Sequence, residues 1–335
     1  MQFATESEIS AACKHVRSRS STLNQVLYGQ EELIDLVITG LLARGHILLE
    51  GLPGLGKTEL VKGLSKALSL DSKRIQFTPD LLPGDITGNP VLQEKDGQRK
   101  FVFQPGPLFT NILLADEINR ASPKTQSAML EAMQERCVTV IGETHPLPAP
   151  FFVLATQNPI ELEGTYPLPE AQLDRFLFKL ELTRNNVETL ERIVNSRELG
   201  TEPEVTAMMD ATQLDELLNL VRRVYLPDVV ANYIARLVDG THPGQSTSAA
   251  GIKYGSSPRA ALSLASAAKA RALINERTHA SFEDVKHIAP AVLRHRMVLD
   301  YNARVEGKTM NDTILKLLEE VPFQAKETPR TMVSQ

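Results

Sequence analysis

The chain has 335 residues, 42% hydrophobic and 23% charged, with 36 Lys and Arg against 41 Asp and Glu and a net charge of -5. That length exceeds one small core and predicts two domains; the apolar content excludes global disorder, and the acidic balance disfavours nucleic acid as main partner, since such binders concentrate basic charge on one face. Cys13 and Cys137 are the two cysteines and lack metal-ligand spacing, while no apolar run approaches the roughly 18 residues of a membrane span and the acidic start, MQFATESEIS, is no leader, so a cytoplasmic protein is expected.

In chain order, Thr5-Glu6-Ser7-Glu8 reads as a capping box opening a first helix. Residues Glu31 to Ala43 repeat Leu33, Ile34, Val37, Ile38, Leu41 and Leu42 at helical spacing. His46 to Glu50 is a short apolar strand, Gly51 to Thr58 a Gly-rich turn, and Lys57 to Ser69 resumes a helical pattern. Ile112 to Ala115 and Phe151 to Ala155 are further apolar runs, the latter without alternation, as parallel strands covered on both faces require. Between them Ser122 and Pro123 cap a helix reaching Glu135, with Met129, Leu130 and Met133 on its buried stripe.

Two hairpins interrupt this alternation. Val91 to Phe103 turns at Asp96-Gly97, and Val138 to Leu147 at Gly142-Glu143. From about Thr183 strand signals fade, and helical patterns occupy Asp210 to Val224, Asp228 to Val238 and Pro258 to Glu276, with a Gly, Ser and Thr-rich loop over Thr241 to Ser257. The expected architecture is a doubly wound α/β parallel sheet over residues 1–183, with inserts at about 85–104 and 137–149, then a smaller all-α domain over 184–325 and a tail, 326–335.

Gly51-Leu52-Pro53-Gly54-Leu55-Gly56-Lys57-Thr58 fits GxxxxGK[ST] between a strand and a helix. Backbone N–H groups of such a loop, with the helix N-terminus that Glu59 joins, enclose phosphate oxygens. Lys57 is expected to reach the β- and γ-phosphates of ATP and Thr58 to hold Mg2+. Asp116-Glu117 ends the run Ile112 to Ala115, at the strand end where ligands bind in such sheets. Asp116 suits the metal's hydration shell and Glu117 suits alignment of the attacking water. Asn158 ends the next strand, where its amide is a candidate contact for both water and γ-phosphate; an ordinary Asn-Pro turn is the alternative.

Taken together, these segments resemble the MoxR family of AAA+ ATPases, from about Asn24 to about Met297. The likeness rests on the P-loop, on Leu113 to Arg120 (LLADEINR), on Ala155 to Pro159 (ATQNP), on Leu173 to Phe176 (LDRF), on Ser257 to Ala260 (SPRA) and on Ala289 to Arg296 (APAVLRHR). It implies Gly29 and Gln30 near the adenine, Asn158 as sensor 1, Arg175 as an arginine finger acting in trans and Arg259 as sensor 2, in cis or in trans. Tyr28 departs from the small aliphatic residue more usual in the family. A trans arginine implies head-to-tail contacts closing a ring, a hexamer in this family, with both hairpins facing its pore.

The function so implied is a ring ATPase that remodels or matures partner proteins, with von Willebrand factor A-domain co-factors. A DNA-translocating helicase-like motor is the alternative, since such motors share the hairpin inserts; it calls for basic, base-stacking tips, where Lys95, Arg99, Lys100, Glu143 and His145 stand here. A small-molecule kinase disagrees with the Arg175 context, and the seven histidines show no ligand cluster.

Overall fold

The computed structural model describes residues 3–11, 28–51, 56–95, 98–158, 165–182, 184–196, 209 and 211–323. The chain divides into two compact units, residues 7–221 and residues 222–335 together with 1–6. Residues 184–221 thus group with the sheet rather than with the helical unit, and Arg44 bonds both Asp215 (3.3 Å) and Asn219 (3.0 Å) there.

The first unit opens with helix α1, described over residues 6–11, and α2 (Glu31–Leu42), which leads into strand β1 (Ile47–Glu50). Helix α3 (Lys57–Leu68), β2 (Ser72–Gln76) and α4 (Pro83–Thr87) follow, then the hairpin strands β3 (Gly88–Lys95) and β4 (Gln98–Pro105). Strand β5 (Ile112–Asp116) and helix α5 (Pro123–Glu135) precede the second hairpin, β6 (Cys137–Val140) and β7 (Glu143–Pro146). Strand β8 (Phe152–Gln157), α6 (Glu170–Leu173), β9 (Phe178–Glu181), α7 (Val187–Ser196) and α8 (Ala211–Arg223) complete it.

Five strands form one parallel sheet in the order β2-β5-β8-β1-β9. Its three inner strands are the apolar runs read from the sequence, and every residue from Ile112 to Ala115 and from Ile47 to Leu49 is fully enclosed. Helix α5 starts as expected: Ser122 Oγ accepts the Thr125 N–H (3.4 Å), and Met129, Leu130 and Met133 pack into a core with Leu48, Leu113 and Val153. Because the strands are parallel and in register, Gln76, Asp116, Gln157, Glu50 and Glu181 all end at one edge.

Both predicted hairpins form. The residues Asp96 and Gly97 lie outside the described set, but the arms pair up to Lys95↔Gln98. In the second hairpin Val140 pairs with Glu143, so the two-residue turn is Ile141-Gly142 and not Gly142-Glu143. Both turn residues have positive φ (50° and 80°), the type I′ geometry that matches strand twist, and glycine takes its second position. The hairpins touch through Phe103, whose ring stacks on His145 at 3.9 Å.

In the second unit α9 (Asp228–Asp239), α10 (Pro258–Ile274), α11 (Phe282–Leu293) and, after the short α12 (Tyr301–Val305), α13 (Met310–Glu320) follow in order; α9, α10, α11 and α13 pack together. The expected all-α pattern gains a short antiparallel pair, β10 (Ile252–Tyr254) with β11 (Val298–Leu299), inside and beyond the predicted loop. Buried Asp284 is ion-paired with Arg277 and also receives the Ser281 N–H (2.8 Å) at the cap of α11. Among the described residues, no helix is long and apolar enough to cross a membrane.

His46 fastens the base of the sheet unit. Its Nε2–H donates to the Met133 carbonyl (3.1 Å) and its Nδ1 accepts the Val153 N–H (3.1 Å), an arrangement open only to the neutral ring. Burial lowers its pKa from 6.5 to about 4, and Arg136 adds to the effect against the opposing Met133 bond. A depressed folded pKa means the stabilisation is complete above the unfolded value and is lost as pH falls through the folded one. We therefore expect stability to decline between pH 6.5 and about 4, with this ring contributing up to about 1.4 kcal/mol per pH unit. Denaturant titrations across that window should find the slope reduced in His46→Leu, which is also less stable at pH 8.

Candidate functional site

The site is built on the polar edge of the sheet. Gly51 leaves β1 with its N–H donated to the Gln157 carbonyl (3.3 Å), and the chain re-enters the described residues at Gly56, beyond Leu52, Pro53, Gly54 and Leu55. Gly56 caps α3 with φ 82°, a left-handed conformation that a side chain would strain. Lys57 is the first helical residue, and its Nζ donates back to the Gly51 carbonyl (2.8 Å). Burial lowers the Lys57 pKa, against which the charges of Asp116 and then Glu117 act to raise it. Half-buried Thr58 and Glu59 continue the first turn of α3.

Asp116 and Glu117 are held by neighbours that sequence reasoning missed. Ala115 pairs with Ala155 across β5 and β8, which brings Thr156 beside Asp116. The enclosed Thr156 hydroxyl donates to Asp116 Oδ1 (2.6 Å) and accepts the Glu117 N–H (2.8 Å). On the other side Gln76 pairs with Asp116, so Arg74 and Gln76 share a face of β2. Arg74 donates to Asp116 Oδ2 through Nη2 (2.7 Å) and Nε (3.2 Å). Glu117 Oε2 accepts from Gln76 (3.0 Å) and from Arg120 (2.9 Å). Glu117 itself has φ 57° and ψ 49°, which reverses the chain abruptly into the 3-10 turn Ile118–Arg120.

Asn158 follows β8 directly, and its carbonyl accepts from Asn119 Nδ2 (3.3 Å). Gly29 and Gln30 stand before α2 and abut the region of α7: a Cβ on Gly29 would lie 2.6 Å from Thr189 Oγ1, and Gln30 Nε2 donates to Asn185 (3.2 Å). The Tyr28 ring lies under Arg192, 5.2 Å from its guanidinium carbon. Arg175, just after α6, is half-exposed, and among the described residues its guanidinium has no hydrogen-bond or ion-pair partner. Arg259 belongs to the second unit, exposed in the first turn of α10, with its N–H donated to Ser257 Oγ (3.2 Å).

This donor set suits a nucleotide with a hard cation. A helix N-terminus and an ammonium favour a polyphosphate, while a threonine hydroxyl and a carboxylate, as at Thr58 and Asp116, are oxygen donors of the kind magnesium accepts. Among the described residues no three His, Cys, Asp or Glu side chains converge, and a cation carried largely by substrate phosphates needs no such cage.

A strand-loop-helix corner facing an acidic strand end, on this sheet order, defines a P-loop nucleotide hydrolase. Residues 46–178 match the family described as ATPase family associated with various cellular activities (AAA), and residues 245–317 match the AAA lid domain. The chain is 44% identical over 308 residues to Bacillus subtilis YeaC, covering 90% of this chain and 93% of that one. It is 39% identical over 322 residues to the Mycobacterium tuberculosis chaperone MoxR1, covering 92% and 85% respectively. A crystal structure of a candidate ATPase from Cytophaga hutchinsonii superposes with a TM-score of 0.88 at 40% identity, over 96% of this chain and 98% of that one. The chain belongs to the MoxR family of AAA+ ATPases, and its activity is ATP hydrolysis.

Thr156 offers a direct test of how the acidic corner is held. Thr156→Val preserves volume but strips Asp116 Oδ1 and the Glu117 N–H of their shared partner, and each buried loss costs about 1–3 kcal/mol. Thermal denaturation should place Thr156→Val roughly 3–10 °C below the parent, with Thr156→Ser close to it; equal melting of all three would show that the hydroxyl contributes nothing.

Proposed function

We propose that this chain acts as a magnesium-dependent ATPase ring, hexameric and cytoplasmic, that remodels or matures partner proteins together with von Willebrand factor A-domain co-factors. When bound, magnesium ATP supplies the phosphoanhydride to be cleaved and a cation that neutralises its charge. The backbone from Gly51 to Gly56, including Pro53, Gly54 and Leu55, holds the phosphates; Lys57 neutralises the β- and γ-oxygens, and Glu59 sits in the helical turn behind. Thr58 and Asp116 are the metal-facing oxygens. Glu117 orients and polarises the attacking water, Asn158 fixes that water against the γ-phosphate, and Gly29 and Gln30 border the adenine.

The observation carrying the ring reading is the half-exposed Arg175 guanidinium, which has no partner among the described residues. An arginine at this exposure normally pairs or solvates; one presented to a neighbouring protomer's γ-phosphate spreads transition-state charge and is worth about 10³–10⁵ in rate. Arg259 is assigned the sensor 2 role by its SPRA context at the start of α10. The two joined hairpins, with Leu92 and Phe101 exposed on the first, are the surfaces offered to a client polypeptide. The helicase reading loses ground because Arg99 is paired with Glu94 (3.2 Å).

Two measurements test this assignment. Glu117→Gln should bind ATP with near-parental affinity while turnover drops about 10²–10³-fold; normal hydrolysis would remove Glu117 from the role. Arg175→Ala should be inactive alone, as should Lys57→Ala, and mixed rings of the two should regain part of the activity. No recovery in rings verified to contain both chains would rule against action in trans.

A further inference from the structure

Two buried amides next to the acidic corner have no place in the roles assigned above. Gln126, on α5, is 1% exposed, and its Nε2 lies within hydrogen-bond distance of three carbonyls, those of Ile118 (3.2 Å), Ala121 (3.2 Å) and Tyr166 (2.8 Å). Asn119 is 4% exposed; its main-chain carbonyl accepts the Tyr166 N–H (2.6 Å) while its side-chain Nδ2 donates to the Asn158 carbonyl (3.3 Å). Tyr166 is therefore gripped at both its N–H and its carbonyl. The turn that follows Glu117, the strand end at Asn158 and the segment that begins at Tyr166 are cross-linked by two side chains.

That segment leads to Arg175. Past Tyr166 it buries Leu168 and Phe176 in the same core as Ile118 and Ala121, and α6 between them ends one residue before Asp174. The Arg175 N–H is bonded back to the Gln172 carbonyl (3.2 Å), so the arginine is carried on a turn anchored at both ends. Packing alone would account for an anchor, but it does not account for the amide of Asn119. Its Oδ1 is buried with no donor among the described residues, a cost of about 1–3 kcal/mol that an apolar side chain of similar size avoids. What the amide adds, and leucine cannot, is the link to Asn158.

We propose that Asn119 and Gln126 are positioning residues for ATP hydrolysis, fixing Glu117, Asn158 and the Arg175 segment relative to one another. Neither touches nucleotide; each acts through the groups it holds, and the inference rests on the roles proposed for those three residues. A shift in any one is transmitted to the other two through the Tyr166 backbone, which ties the protomer's own water-activating side to the arginine it presents to its neighbour.

The test uses Asn119→Leu and Gln126→Met in the full chain, assembled as the parent assembles. Displacing catalytic groups by about 1 Å costs up to 10²-fold, so kcat should fall at least about tenfold while KM and ATP affinity stay within about threefold. Asn119→Leu should melt close to the parent temperature, because losing the donor to the Asn158 carbonyl is offset by removing an oxygen that has no donor among the described residues. In the Gln126→Met background, adding Arg175→Ala should cost much less than it costs alone, since the finger is already displaced. The proposal is overturned if both variants keep kcat within about twofold of the parent, if kcat, ATP affinity and melting temperature fall together, or if the Arg175 penalty is unchanged in the Gln126→Met background. Full activity of Glu117→Gln or Arg175→Ala in otherwise unaltered protein is a separate result, which strikes the roles themselves and not the coupling.

Discussion

The register of β5 between β2 and β8 is the constraint on which the acidic corner depends. Ala115 opposite Ala155 sets Thr156 against Asp116, and Gln76 opposite Asp116 sets Arg74 within reach of the same carboxylate. A slip of one residue in either pairing would turn these side chains to the opposite face of the sheet. The buried apolar runs prevent the slip, because Ile112 to Ala115 and Val153 to Ala155 fill core on both faces. Hydrophobic burial, which has no chemistry of its own, thus determines which oxygen meets which proton at the strand ends.

What the sequence revealed and concealed follows from the same physics. The inner strands were legible because doubly covered strands are continuously apolar, and the P-loop was legible because its glycines and lysine are fixed in local spacing. The outer strands β2 and β9 escaped notice: Ser72 to Gln76 has a single buried residue, Ile75, and Phe178 to Glu181 alternates over only four residues, the shortest run in which a strand pattern can be read. Arg74, Gln76 and Thr156 went unrecognised for a related reason, since they act across strand pairings separated by 40 or more positions in the chain. Spacing arguments see along the backbone and not across it. The hairpin turn was misplaced by one residue because Gly142 was assigned the first turn position, where pairing of Val140 with Glu143 gives it the second.

The hairpins also show how a two-stranded ribbon, weakly stable by itself, can be supported. Phe103 stacks on His145 and meets Phe109 edge-on at 5.5 Å, so the base of the first hairpin is anchored by the second and by the loop before β5. Farther out, Leu92 and Phe101 face each other across the strands and remain exposed at 51% and 71%. An anchored base with apolar surface farther out suits the client contact proposed for these hairpins.

Glu117 occupies a backbone conformation in which glycine and asparagine are at ease and glutamate is not. The kink points its carboxylate toward Gln76 and Arg120 rather than along the strand, at a local cost of order 1 kcal/mol. With Glu117 in the water-activating role proposed above, folding and turnover favour different residues at this position. Were variants sorted for thermostability alone, the site would drift toward glycine or asparagine, and a more robust protein would be recovered with its engine removed.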